Sequence, residues 1–140
     1  MKLLLLFILF TLIAKAPIWC SLVVIAPVPI QPYEDIWRAV CKVETNHDQF
    51  AVGDLHLKDK SYGIAQIRQI RLDSYNRQTG STLRISDVYD PLISKKVFMY
   101  FADKIGPYEK DKIIRSWNGS GKQTYVYLKK VKRVLASVSS

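Results

Sequence analysis

The sequence predicts a mainly α domain of about five helices with one long loop between the first two. Three observations carry this. Apolar residues recur at helical spacing in successive segments between residues 33 and 135. Strand-like pieces are confined to the loop after the first segment and are short. Setting aside the first thirty residues leaves 110, Gln31 to Ser140, enough for one compact core that removes about two-thirds of its unfolded surface from water.

Residues 1–30 differ from the rest. They hold two charges, Lys2 and Lys15, and no acid. A basic start and an unbroken apolar run, MKLLLLFILFTLIA, is the pattern of a secretory signal. Ala14-Lys15-Ala16 resembles a small-x-small cleavage site, although Pro17 is a poor residue after a cut. An uncleaved anchor is the alternative: a bilayer needs roughly 20 apolar residues. Leu3 to Ile25 would suffice if the bilayer tolerated Lys15. Either reading exports residues 31–140 to the periplasm or cell envelope, with membrane association in the second case. Pro27, Pro29 and Pro32 then form a short, stiff linker.

The first domain helix is expected over Tyr33 to Asn46, with Ile36, Trp37, Val40, Cys41 and Val43 as its apolar stripe. Glu44 lies four residues from Val40 and three from Cys41, so it continues the apolar face. A carboxylate there is expensive unless paired or functional. Helical phase alone does not separate a catalytic Glu44 from one that fringes the face and reaches solvent. Asn46 to Lys60 reads as loop, long enough to be functional. Ser61 can cap a second helix carrying Ile64, Ile67, Leu72 and Tyr75, with Arg68, Arg71, Asp73 and Arg77 on its polar side. Thr79-Gly80-Ser81 ends it. After a connector, Asp90-Pro91 supplies an N-cap and a first-turn proline. Ile93, Val97, Phe101 and Ile105 form the stripe of a third helix that ends at Gly106-Pro107. Tyr108 to Trp117 is a short fourth helix, Asn118 to Gly121 a break, and Thr124, Leu128, Val131 and Leu135 mark the fifth.

The whole chain carries +9; without Lys2 and Lys15 the remainder has 19 basic and 12 acidic residues, about +7. That excess favours an anionic partner, though the KKVKRV run at Lys129 to Val134 reads most simply as a solvated helix face. No nucleic-acid recognition motif is present, and a nucleic-acid partner is not expected. Cys20 and Cys41 match no metal or redox spacing, and Cys41 reads as a small buried apolar residue. His47 and His56 lack Cys/His partners, so neither a metal nor another cofactor is expected.

The segment Val43 to Ile67 resembles the signature of the lysozyme-like lytic transglycosylases, the soluble-lytic-transglycosylase catalytic domain. The matching pieces are Glu44-Thr45 at a helix end, Ala51 in the loop, and Ser61-Tyr62-Gly63-Ile64-Ala65-Gln66-Ile67. A later element, Ser116-Trp117-Asn118-Gly119-Ser120 followed by Tyr125 or Tyr127 and Val131, is similar to the family's Ala-Tyr-Asn-Ala-Gly region. The resemblance spans about residues 33–135. It implies a lysozyme-like single domain in which Glu44 is the acid and base that cleaves the β-1,4 bond between MurNAc and GlcNAc of peptidoglycan, closing a 1,6-anhydro ring. It also implies substrate contacts from Ser61, Gly63, Gln66, Trp117 and Asn118. For four of these a plainer role stands beside it: helix cap for Ser61, turn residue for Gly63, exposed helix residue for Gln66, helix end for Asn118. Trp117 stands where the family usually has a Tyr whose hydroxyl touches the catalytic Glu, Thr45 replaces a Ser, and Ala65 replaces a Met.

The chemistry fits these residue types. Breaking a glycosidic bond needs a proton for the leaving oxygen. A Glu in a partly apolar cleft holds its proton to higher pH because burial disfavours its charged form. A hydrolytic lysozyme is the nearest rival and needs a second carboxylate; Asp48, Asp54 and Asp59 lie in the loop, with Asp54 best placed by spacing. A wall-binding or envelope-assembly module without catalysis is a third reading. The expected partners are peptidoglycan strands and, for a small enzyme that opens the wall locally, a secretion or conjugation apparatus. A monomer is expected.

Overall fold

The computed structural model describes residues 32–138; the readings made for the leader, its linker prolines Pro27 and Pro29, and Cys20 lie outside the described residues. Helix α1 (Glu34–Thr45) opens with Glu34 and Asp35, whose charges suit the positive end of the helix dipole. It buries Ile36, Trp37, Val40 and Cys41. Asn46 ends it in the left-handed conformation, φ 54°. There the amides of Asn46 and His47 return to the carbonyls of Lys42 and Cys41 at 3.1 and 3.2 Å, satisfying acceptors that a helix end otherwise leaves open.

The chain then forms three two-residue strands, β1 (Val52–Gly53), β2 (Ser61–Tyr62) and β3 (Ile67–Arg68). They pair antiparallel in the order β1-β2-β3, with Val52 opposite Tyr62 and Ser61 opposite Arg68. This corrects the expected helix from Ser61. The run Ser61 to Arg68 is a hairpin, and helix α2 (Gln69–Thr79) begins only after it. Gly63 at φ +72° and Gln66 at φ +53° lie in the left-handed region, which no α-helix can pass through. Ile67 is buried as the spacing required, but from a strand.

A 3-10 turn (Ile85–Tyr89) leads to helix α3 (Pro91–Ile105). The Asp90 carboxylate accepts from the Leu92 amide at 2.8 Å and Pro91 occupies the first turn, as the sequence predicts. The buried face is Ser94, Val97, Phe98 and Ala102, with Ile93 only partly covered. A helix turns every 3.6 residues, so a strict four-residue ladder drifts off the core. Helices α4 (Lys110–Asn118) and α5 (Gln123–Val138) complete the domain. Helix α5 packs on α1 and α4, burying Thr124, Tyr127, Leu128 and Val131. The rings of Trp37, Phe98 and Trp117 meet in sequence at 5.4 and 5.0 Å and join α1, α3 and α4. Burying one such ring is worth about 2–3 kcal/mol, so this triad fixes the helix frame. The mainly α class is thus the one observed. Among the described residues no helix is long and apolar enough to cross a membrane.

Candidate active site

Glu44 sits in the last turn of α1, where its two apolar neighbours in phase, Val40 and Cys41, are buried. Helix α5 crosses behind it, and the Tyr127 hydroxyl donates to Glu44 Oε1 at 2.6 Å. The other side of the carboxyl opens onto a cleft of about 460 Å³. Burial pushes the Glu44 carboxyl above its ordinary range. The Tyr127 hydrogen bond pulls it back, the nearby Asp54 charge pushes it further up, and Arg71 and Lys130 oppose that. Tyr127 itself is driven up by burial and by the Glu44 charge, so its phenol stays protonated and serves as a fixed donor. The resemblance sets a Tyr hydroxyl against the catalytic Glu at the position that Trp117 occupies. In this chain a hydroxyl reaches Glu44 from α5 instead, from one of the two tyrosines set beside Val131 in the resemblance. Tyr125, the other, is exposed.

The facing wall is the hairpin, and its turn is held carbonyl by carbonyl. Gly63 O accepts from Gln66 Nε2 at 3.1 Å. Ile64 O accepts from Thr45 Oγ1 at 2.9 Å. Ala65 O accepts from the indole N–H of Trp117 at 3.0 Å. Gln66 also reaches Ala51 O at 3.4 Å and accepts from Ser61 Oγ at 2.7 Å. A Cβ on Gly53 would run into that same Gln66 oxygen, and one on Gly63 into the Val88 carbonyl. These two glycines therefore permit close packing, and at Gly63 also a positive φ.

The expected site residues divide accordingly. Glu44, Ser61, Gln66, Trp117 and Asn118 all line the cleft. Ser61 is not a helix cap but a buried strand residue bonded to Gln66. Gln66 is not an exposed helix residue; its amide organises the turn. Trp117 turns its N–H to the turn and its ring to Phe98. Asn118 is exposed at the end of α4, and its side chain has no protein partner among the described residues. Gly63 lies against the 3-10 turn and is not part of the cleft lining.

Two arginines expected on the polar side of the second helix also line the cleft. Arg71 lays its guanidinium over the Trp117 ring at 4.3 Å and donates to the carbonyls of Ser116 and Trp117 at 3.1 and 2.9 Å. The signal for it was present: Arg71 stands four residues before buried Tyr75, in the same phase. Arg68 pairs with Asp54, Nη2 to Oδ2 at 2.6 Å. That hydrogen bond holds the Asp54 carboxyl below its ordinary range. Asp54 lines the same cleft as Glu44. One carboxyl is thus biased toward its protonated form and the other toward its ionised form, the separation that acid/base work on a glycoside uses. Asp48 and Asp59 are not part of the lining.

Cys41 is buried beneath the site, its thiol pushed up to about 12 by burial and by Glu44, consistent with a packing residue. No group of three His, Cys, Asp or Glu side chains that could hold a metal occurs among the described residues. No family model matches the chain, and neither a curated protein nor a solved structure matches it.

Proposed function

We propose that the chain is a peptidoglycan lytic transglycosylase of lysozyme-like fold, with Glu44 as its single acid and base. The observation that carries this reading is the Glu44 carboxyl itself: half-buried, biased toward its protonated form and opening onto a cleft. Tyr127 holds one of its oxygens. The resemblance of Val43 to Ile67 to the lytic-transglycosylase signature supplies the substrate class.

The steps balance without water. The Glu44 proton passes to the glycosidic oxygen, the bond from MurNAc C1 to that oxygen breaks, and the GlcNAc end departs with a neutral 4-hydroxyl. Positive charge develops at C1. The MurNAc 6-hydroxyl attacks C1 and gives its proton to the Glu44 carboxylate, closing the 1,6-anhydro ring and restoring the acid. Tyr127 supports the carboxylate while it is charged, and burial returns it to the protonated form. The export inferred from residues 1–30 belongs to the same proposal, since the polymer lies outside the cytoplasm.

Hydrolysis is the second reading, because Asp54 brings an ionised carboxylate to the same cleft. It could activate water or attack C1 while Glu44 acts as acid. The ion pair with Arg68 engages one Asp54 oxygen, which favours the single-carboxylate route. Release of soluble fragments from dye-labelled peptidoglycan tests the common claim. Wild-type protein is expected to release dye and Glu44→Gln to release it at least about a hundredfold more slowly; equal release by both removes Glu44 from the chemistry.

A further inference from the structure

A second hollow of about 570 Å³ lies beside the cleft, and the two share Gly119 in the loop after α4. Arg115 lines the second hollow and is held in place from two directions. Its guanidinium lies over the Tyr125 ring at 3.8 Å. Its Nε donates at 3.2 Å to the hydroxyl of Thr124. That hydroxyl is itself anchored to the Gly121 carbonyl at 2.7 Å, in a residue only 1% exposed. The two terminal nitrogens of Arg115 have no hydrogen-bond partner among the described residues. Lys112 lines the same hollow and likewise has no partner among the described residues. Glu109 and Asp111 line it too, and the Asp111 charge is offset by Lys132 at 2.6 Å.

A stacked guanidinium with its inner N–H fixed presents the fork of its outer N–H groups in one orientation. That fork matches a carboxylate, and little side-chain freedom is left to lose on binding. The glycan strand of peptidoglycan carries peptide stems with free carboxylates, and the two hollows meet at Gly119. We propose that the hollow at Arg115 binds a carboxylate of the peptide stem while the glycan lies in the Glu44 cleft. The proposal rests on the reading of that cleft as a glycan-strand site.

The test is calorimetric binding of soluble, stem-bearing glycan strands to the Glu44→Gln protein, which cannot turn them over. The same strands with their stem carboxylates amidated serve as the comparison. Adding Arg115→Met is expected to weaken binding of the carboxylate-bearing strands about tenfold, the usual effect of losing a charge-assisted hydrogen bond, and to leave the amidated strands unchanged. Arg115→Lys, which keeps the charge and the aliphatic stem, is expected to fall between and covers the case in which the Met variant does not fold. If both kinds of strand weaken equally, or neither weakens, the stem site is wrong and the cleft reading survives. If Glu44→Gln binds neither kind of strand, the cleft reading falls and the stem site falls with it.

Discussion

Glu44 reaches the cleft on a twelve-residue helix whose buried face is continuous, whereas Asp54 reaches it directly after a two-residue strand. The first wall is stabilised by apolar burial: α1 packs on α5, and the aromatic triad ties α1 to α3 and α4. Around Asp54 there is little comparable burial, for Phe50, Val52, Leu55 and Leu57 are all exposed. The hairpin is held by side-chain donors on the turn carbonyls and by two glycines without room for a side chain. The two walls should therefore fail in different ways. The helical wall is sensitive to charge placed in its apolar surroundings, and the hairpin wall to small changes in backbone or volume.

Replacing Glu44 should give the largest effect. Loss of a general acid typically costs roughly 10²–10⁴-fold in rate, and that range is expected for Glu44→Gln on purified peptidoglycan. Stability should move the other way. The Glu44 carboxyl is raised above its ordinary value near 4.5, so the folded state favours the protonated form. Its contribution to stability is full below that ordinary value and is lost as pH rises through the raised one. Gln does not titrate. The stability advantage of Glu44→Gln, followed by urea unfolding, should grow as pH rises from about 4.5. A constant difference across pH would contradict the burial argument.

The hairpin wall offers an internal comparison. Gly63 and Gly80 have nearly the same φ, +72° and +70°, but a Cβ on Gly63 meets the Val88 carbonyl and one on Gly80 meets nothing within 4 Å. Gly80→Ala should cost about 1 kcal/mol for the left-handed conformation alone. Gly63→Ala should cost about 1–3 kcal/mol more, from overpacking. Equal unfolding midpoints for the two variants would mean that the turn is not as tightly held as the geometry indicates.

A smaller effect is expected at the seam between the walls and the frame. Tyr127→Phe removes the donor to Glu44 Oε1. A hydrogen bond to a charged group is worth about 1.5–3 kcal/mol, so a loss of roughly ten- to hundredfold in kcat is expected. That bond lowers the Glu44 carboxyl pKa, so its removal raises the pKa further and moves the alkaline limb of the pH–rate profile to higher pH. A shift to lower pH would overturn the assigned role.

The same contrast explains what could be read from the sequence. The apolar stripes of α1, α4 and α5, the cap at Asp90-Pro91 and the phase of Glu44 were legible because helices repeat over two or more turns. The hairpin was not. Two-residue strands show no alternation, and Ile64, Ile67 and Leu72 fall at spacings that mimic a helix. The left-handed Gln66 is not a glycine and leaves no mark in composition. The residues of the Ser61 to Ile67 run were expected at the substrate. Ser61 and Gln66 line the cleft, yet most of their polar groups shape the turn that forms its wall. Arg71 was assigned to solvent by its charge, although its phase with Tyr75 pointed inward.

Whether the proposed reaction uses one carboxylate or two is decided by the ends of the products. Mass spectrometry of peptidoglycan digested by wild-type protein and by Asp54→Asn reads this directly. The single-carboxylate account predicts 1,6-anhydro ends from both proteins at similar yield. Reducing ends from wild type that disappear with Asp54→Asn would contradict it and make Asp54 the second catalytic carboxylate.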